Sequence, residues 1–155
     1  LSKNNNNILR LGSIRQAFPN ALIIVPFRDP IQHAISLLQQ HIKFCAIHAR
    51  DPFSYKYMEW LGHHEFGMTH RPFQFEDCWK VEGKDPHPGN INYWLALWIN
   101  TYRYIIKNAP KNTLFLSFEV LCRDPKQIIN MLLLKANLCI DNFSLCSWMS
   151  RENYW

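Results

Sequence analysis

An apolar run of seven residues followed at once by a helix-start signal limits most strongly how this chain can fold. Residues 21–27 read ALIIVPF, and a short run rich in β-branched side chains is typical of a strand buried on both faces of a parallel sheet. Arg28-Asp29-Pro30 comes next. Asp29 can cap a helix and Pro30 can occupy its first position. The pattern therefore predicts a strand that passes through a tight turn into a helix.

The same alternation continues along the chain. Apolar spacing and capping residues predict helices over about 8–18, 30–45, 52–61, 93–105 and 125–133, and a second strand over Thr113–Phe118. Residues 63–90 are rich in His, Pro, Gly and aromatic side chains, which indicates an irregular loop region over one sheet edge. We expect an α/β fold with a three-layer parallel sheet flanked by helices, in a single domain over residues 1–155.

Composition and charge narrow the possible partners. Apolar residues make up 48% of the chain and charged residues 19%, which is typical of a folded protein. Seventeen Lys and Arg against twelve Asp and Glu leave a net charge of +5, spread along the chain. A nucleic-acid surface usually shows a clustered basic stripe, so we expect no nucleic-acid partner. Phosphate in a small ligand is the better interpretation, and an ordinary solvated surface is the alternative.

The cysteines and the apolar runs bear on the compartment. Five cysteines without a CxxC pair argue against a complete disulfide framework and favour reduced, mostly buried thiols. No apolar run approaches the roughly 20 residues needed to span a bilayer. The chain begins at Leu1 in the middle of a pattern, so we interpret it as a fragment. The cytoplasm is the expected compartment, and the Golgi lumen stays open.

The strand-to-helix turn predicts an anion site. In open α/β sheets, ligands bind where strands end and helices begin. Arg28 lies at that edge and offers a planar, permanently charged donor fork, and the following helix start adds a partial positive charge. Ser36 follows eight residues after Arg28, and its hydroxyl could reach the same anion. We therefore take Arg28 and Ser36 as candidate phosphate-binding residues.

These residues carry a family resemblance. Arg28-Asp29-Pro30 followed by Ser36, directly after an apolar strand, resembles the 3'-phosphate-binding motif of sulfotransferases, which transfer a sulfuryl group from 3'-phosphoadenosine-5'-phosphosulfate (PAPS). The segment LFLSFEVLCRDPKQII, residues 114–129, is similar to the family's strand and Tyr-Glu-Asp-Leu element. Here Phe118 stands for the usual Tyr and Val120 for the usual acid. The resemblance spans roughly residues 3–138 and implies a P-loop nucleotide-binding-like sulfotransferase fold, present in part.

The resemblance implies roles for further residues. Lys3 matches a strand-end lysine that could stabilise the leaving phosphate oxygen, and a plain surface lysine is the alternative. His33, on the first turn of the phosphate-binding helix, is a candidate general base or a polar surface residue. The family's loop for the 5'-phosphosulfate, which lies N-terminal in sulfotransferases, does not occur in these residues. We therefore expect this fragment alone to be inactive as a PAPS-dependent enzyme, with no metal cofactor.

Several aromatic and histidine residues have two interpretations. Tyr93, Trp98 and Tyr102 lie at helical spacing and fit a packed core, and in a functional interpretation one of them flanks the adenine or the acceptor. Glu119 fits a brace or a cap better than a catalyst. The cluster His63, His64, Glu65 and His70 could suggest a metal, but adjacent histidines point in different directions, so a loop surface is the better interpretation.

Alternative functions remain open beside the sulfotransferase. One is a P-loop-type nucleotide kinase or a related nucleotide-binding protein with the same sheet. Another is a non-catalytic remnant or interaction domain that keeps the fold. The acceptor is not predicted, since acceptor pockets are built from variable loops. A hydroxyl or amine of a carbohydrate, small molecule, peptide or lipid fits equally well.

Overall fold

The computed structural model describes residues 2–75 and 87–138. Their contacts divide the chain into two compact units. The strand unit comprises the described residues 2–28 and 110–138, and the helix unit comprises 29–75 and 87–109. The boundary at one side falls between Arg28 and Asp29, in the middle of the predicted turn. The single domain predicted from the sequence stays a prediction.

Two parallel strands form the centre of the strand unit. Strand β1 (Ile23–Phe27) pairs with β2 (Thr113–Ser117), with Ile23 opposite Thr113. The α/β class and the parallel pairing are confirmed. The described residues contribute these two strands to the sheet, so the three-layer arrangement is not confirmed. The expected burial of β1 on both faces is wrong, because Val25 is buried while its neighbour Ile24 is exposed.

Short helices complete the strand unit. A 3-10 helix (Asn5–Arg10) leads into α1 (Leu11–Ala17), and β2 leads into α5 (Phe118–Arg123) and α6 (Pro125–Lys135). The Asp124 carboxylate accepts a hydrogen bond from the Gln127 N–H at 3.1 Å, as the Asp-Pro pattern predicts. The predicted end of β2 is wrong by one residue. Phe118 begins α5 instead, because the Ser117 hydroxyl caps that helix by accepting a hydrogen bond from the Val120 N–H.

Three helices form the helix unit: α2 (Pro30–Arg50), α3 (Pro52–Trp60) and α4 (Ile91–Asn108). Their first turns are capped by the side chains of Asp29, Asp51 and Asn90. Each cap accepts a hydrogen bond from a backbone N–H that lacks a partner within the helix. All three helices lie where the sequence predicts them.

The core of the helix unit lies between α2 and α4. Ala34, Tyr93 and Trp94 are buried there, and Trp94 is 1% exposed. A second apolar row on α2 faces solvent, where Ile31 is 58% exposed and Ile42 is 55% exposed. The helical spacing of these residues is as predicted, but only the row that contains Ala34 meets the core.

The irregular region is confirmed where it is described. Residues 61–75 and 87–90 form no helix or strand, and residues 76–86 lie outside the described part. Gly62 ends α3 in the left-handed conformation, with φ of +70°, as its position predicts. None of the described helices combines the length and apolarity that a bilayer crossing requires.

The cysteines differ in part from the expectation. Cys45 is a half-buried free thiol, and burial raises its pKa. Cys122 is also free but exposed, so the expected burial is wrong for this residue. Cys78, Cys139 and Cys146 lie outside the described residues.

Candidate functional site

Arg28 lies directly after β1 and is held by an aromatic ring. Its guanidinium carbon is 4.8 Å from the centroid of the Phe118 ring, which is the first residue of α5 after the neighbouring strand. This distance is that of a cation–π contact, which attracts the guanidinium to the ring. The Nε atom of Arg28 is buried and has no hydrogen-bond partner among the described residues. A buried donor of this kind calls for an acceptor, and a phosphate oxygen would supply one.

The helix start behind Arg28 contributes less to an anion site than the sequence suggests. Asp29 Oδ1 accepts from the Gln32 N–H at 2.9 Å, and the Asp29 carbonyl accepts from the His33 N–H at 2.9 Å. Pro30 has no N–H to offer. The cap thus occupies the N–H groups of Gln32 and His33 and adds a negative charge at the helix start.

The other predicted polar residues belong to two different units of the chain. Ser36 is exposed on α2, and His33 is half-buried on the first turn of the same helix. Lys3 is exposed, one residue before the Asn4 cap of the 3-10 helix. Arg28 belongs to the strand unit and Ser36 to the helix unit, so their approach to one phosphate stays a prediction.

The two predicted aromatic residues differ in exposure. Tyr93 is 6% exposed, and its hydroxyl lies 2.6 Å from His70 Nε2. Burial raises the pKa of Tyr93 to about 12, so the phenol is protonated at neutral pH. These contacts support the core interpretation of Tyr93. Trp98 is half-buried and packs on Tyr102 with ring centroids 4.4 Å apart, and its contact with an adenine stays a prediction.

The acid after β2 has a structural contact. The Ser117 hydroxyl donates to Glu119 Oε2 at 2.7 Å while it caps α5. Glu119 therefore orients the cap of the helix that carries Phe118 at its first position. This supports the interpretation of Glu119 as a brace and links it to the residue that holds Arg28.

The histidines of the loop bind backbone and acid groups. His63 Nδ1 is 3.4 Å from Glu65 Oε2, His64 Nδ1 donates to the Thr69 carbonyl, and His70 Nδ1 donates to the His64 carbonyl. Within residues 2–75 and 87–138, no three His, Cys, Asp or Glu side chains form a group that could hold a metal ion.

Two buried histidines of α2 were missed by the sequence analysis. His41 and His48 are buried and accept hydrogen bonds from the backbone of residues 67 and 68. A signal for them exists in the sequence, because Ala34, His41 and His48 recur every seven residues and so share one face of α2. Because His41 and His48 are polar, the sequence pattern did not indicate that this row, rather than the isoleucine row, faces the core.

A cavity of about 420 Å³ lies at the amino ends of the two strands, opposite the end that Arg28 follows. It adjoins Leu22 and Asn112, the residues just before β1 and β2, and Arg15 and Lys135 contribute its positive charges. Its position at the amino ends of the strands separates it from Arg28, which follows the carboxyl end of β1.

Comparison of the chain with protein-family models, with curated proteins and with solved structures finds no match. What the residues bind is therefore inferred from their own chemistry.

Proposed function

We propose that this chain is part of a PAPS-dependent sulfotransferase, in which Arg28 binds the 3'-phosphate of the nucleotide. One observation carries the proposal: a strand ends in an arginine whose guanidinium is fixed on Phe118 and whose buried Nε has no partner among the described residues. The arginine offers a charged, oriented donor, and phosphate accepts such donors in bidentate geometry.

The proposed fold extends the observed strand pair. The parallel strands β1 and β2 belong, in this proposal, to a three-layer sheet of the P-loop-like type. The second strand is followed by the Phe118 and Glu119 element, which resembles the family's motif after its strand. The elements that follow each strand support the proposal, since ligands of such sheets bind at the carboxyl ends of the strands.

The remaining residues take roles from the chemistry of sulfuryl transfer. The reaction needs in-line placement of the acceptor, stabilisation of oxyanion charge and a base for the acceptor proton. Ser36 donates its hydroxyl to the 3'-phosphate, Lys3 stabilises the leaving phosphate oxygen, and His33 is the candidate base. Trp98, which is half-buried, is better suited than the buried Tyr93 to flank the adenine.

Calorimetric titration with nucleotides tests the assignment of Arg28. We expect the chain to bind 3',5'-ADP more tightly than 2',5'-ADP, which has the same charge with one phosphate moved. A charge-assisted hydrogen bond contributes about 1.5–3 kcal/mol, so Arg28→Ala should weaken 3',5'-ADP binding roughly 10- to 150-fold. The matched control is Arg123→Ala, which removes an exposed arginine of α5 and should leave binding unchanged.

Two results would contradict the proposal. Equal affinity for the two isomers would show that the phosphate position is not read, and unchanged binding by Arg28→Ala would place the site elsewhere. A preference for ATP over both isomers would favour the kinase alternative. The absence of nucleotide binding by the folded chain would favour a remnant or interaction domain.

A further inference from the structure

Backbone partners determine the protonation of the two buried histidines on α2. His41 Nδ1 accepts a hydrogen bond from the Gly67 N–H at 3.3 Å, and His48 Nδ1 accepts one from the Met68 N–H at 3.3 Å. A backbone N–H can only donate, so each Nδ1 must carry a lone pair. Both imidazoles are therefore neutral, with the proton on Nε2.

The second nitrogen of each ring faces sulfur. His41 Nε2 lies 3.5 Å from Cys45 Sγ, and His48 Nε2 lies 3.2 Å from Met58 Sδ. Sulfur is a weak acceptor and would stabilise an imidazolium poorly. The proton on His41 Nε2 points toward Cys45, so the pair is not arranged for the histidine to take a proton from the thiol.

The surroundings of the His41 ring disfavour positive charge. His41 packs on the His70 ring at 5.3 Å and on Trp94 at 5.4 Å, and His87 contributes a further titratable group. Burial, followed by the His70 and His87 charges, lowers the pKa of His41, and burial also lowers the pKa of His70.

The neighbours of the His48 ring differ from those of His41. Its ring packs edge-on against Phe44 and against Tyr55 of α3, at 6.1 Å and 5.6 Å between ring centroids. Tyr55 is the titratable side chain among these neighbours. No carboxylate occurs among the described ring contacts of His41 or His48, so protonation would bring a charge with no partner there.

We propose that His41, His48 and the backbone of Gly67-Met68 form a pH-sensitive latch, in which both rings hold the loop on α2 by accepting backbone hydrogen bonds and protonation of His41 releases it. A proton on Nδ1 would point at a backbone N–H, so the two donors would repel each other. The loop would then lose both hydrogen bonds to α2. This inference does not depend on nucleotide binding.

The direction of the pH dependence follows from linkage. A histidine whose folded-state pKa is lowered stabilises the folded arrangement fully above its ordinary pKa, and that stabilisation is lost as the pH falls toward the folded value. The ordinary value is 6.5 for His41. Loop opening should therefore increase as the pH falls below about 6.5, while regions remote from the latch change less.

Hydrogen exchange at the Gly67 and Met68 amides tests the latch. Between pH 7.5 and 5.5, after correction for intrinsic exchange, we expect their protection to fall about tenfold as His41 becomes protonated. The Ile105 amide in α4 is the internal reference and should keep its protection. Equal protection of Gly67 and Met68 at the two pH values would overturn the proposal.

Asparagine variants separate protonation from packing. In His41→Asn and His48→Asn, the side-chain oxygen can still accept from the backbone N–H but cannot be protonated, so the pH dependence should shrink in His41→Asn and vanish in the double variant. His63→Asn, at a more exposed position beside Glu65, should behave like the parent chain. Full pH dependence in the double variant would contradict the latch.

The unmodified chain offers a second readout, which does not depend on the folding of variants. Nitrogen NMR of the imidazoles should show unprotonated Nδ1 and protonated Nε2 for His41 and His48 at pH 7.5. The Gly67 and Met68 amide resonances should shift with the same pH midpoint as the His41 ring. A protonated Nδ1 at pH 7.5, or amide shifts with an unrelated midpoint, would refute the assignment.

Discussion

Replacing Trp94 with alanine should lower the free energy of unfolding of the helix unit by about 3–5 kcal/mol, the cost typical of a fully buried large side chain. Trp94 is 1% exposed and packs between α2 and α4. Its ring contacts Phe66 and His70 at centroid distances of 5.8 Å and 5.1 Å, so the loss would reach the loop as well as the helices. Truncation would leave a cavity among these groups.

A hydrogen bond adds to this cost. Trp94 Nε1 donates to the Pro88 carbonyl at 2.8 Å, just before α4 begins. Trp94→Phe keeps most of the packing but removes the donor, so we expect a smaller loss, which includes about 1 kcal/mol for the hydrogen bond. Chemical denaturation followed by far-ultraviolet circular dichroism measures both variants without relying on tryptophan fluorescence.

Trp60 provides the matched control. It is 84% exposed at the end of α3, so Trp60→Ala should change the free energy of unfolding by no more than about 0.5 kcal/mol. If Trp94→Ala and Trp60→Ala cost the same, the described core of the helix unit is wrong.

Replacing Gly67 with alanine should lower the free energy of unfolding by about 2–5 kcal/mol, from two separate causes. Gly67 has φ of +83°, where a side chain costs about 1–2 kcal/mol. A Cβ atom there would lie 2.5 Å from His48 Cε1, and the resulting overpacking costs about 1–3 kcal/mol. Thermal or chemical denaturation measures the sum.

The substitution Gly62→Ala distinguishes the backbone cost from the overpacking cost. Its φ of +70° is similar, but a Cβ there meets no atom within 4 Å, so Gly62→Ala should show the backbone cost alone. In a His48→Ala background, Gly67→Ala should cost no more than Gly62→Ala, because the ring that the new methyl meets is gone. Equal costs of the two glycine substitutions in the parent chain would show that Gly67 does not lie against His48.

Local signals in the sequence predict the elements well. Asp29-Pro30, Asp51-Pro52 and Asp124-Pro125 each mark a helix start, because the carboxylate caps the first turn and proline fits its first position. These interactions lie within three residues of each other in the chain. Such short-range contacts depend little on the rest of the fold, and all three helices begin where they were predicted.

Long-range contacts could not be predicted in the same way. Helical spacing identifies Ile31, Ile35 and Ile42 as one face of α2, but not which element covers that face. The neighbouring row of Ala34, His41 and His48 is buried, since the loop supplies N–H donors to the histidines from up to 26 residues away. A histidine becomes a core residue only when such a partner is present.

The same distinction between local signals and long-range contacts applies to the candidate site. The position of Arg28 at the end of a strand follows from an apolar run and an Asp-Pro pair, and both are visible in the sequence. The ring that holds it, Phe118, comes from the end of another strand 90 positions later, and the parallel register of β1 and β2 brings the two together. In the sequence, Phe118 is identifiable only as the end of a predicted strand and as a substitute for tyrosine.

Nitrogen NMR of the arginine Nε–H groups tests the central claim most directly. In the parent chain, addition of 3',5'-ADP should shift the Arg28 Nε–H resonance strongly, because this buried donor gains a phosphate acceptor. 5'-AMP, which lacks the 3'-phosphate, should leave the resonance near its starting position. An Arg28 resonance that does not respond to 3',5'-ADP, or that shifts equally with 5'-AMP, would contradict 3'-phosphate binding by Arg28.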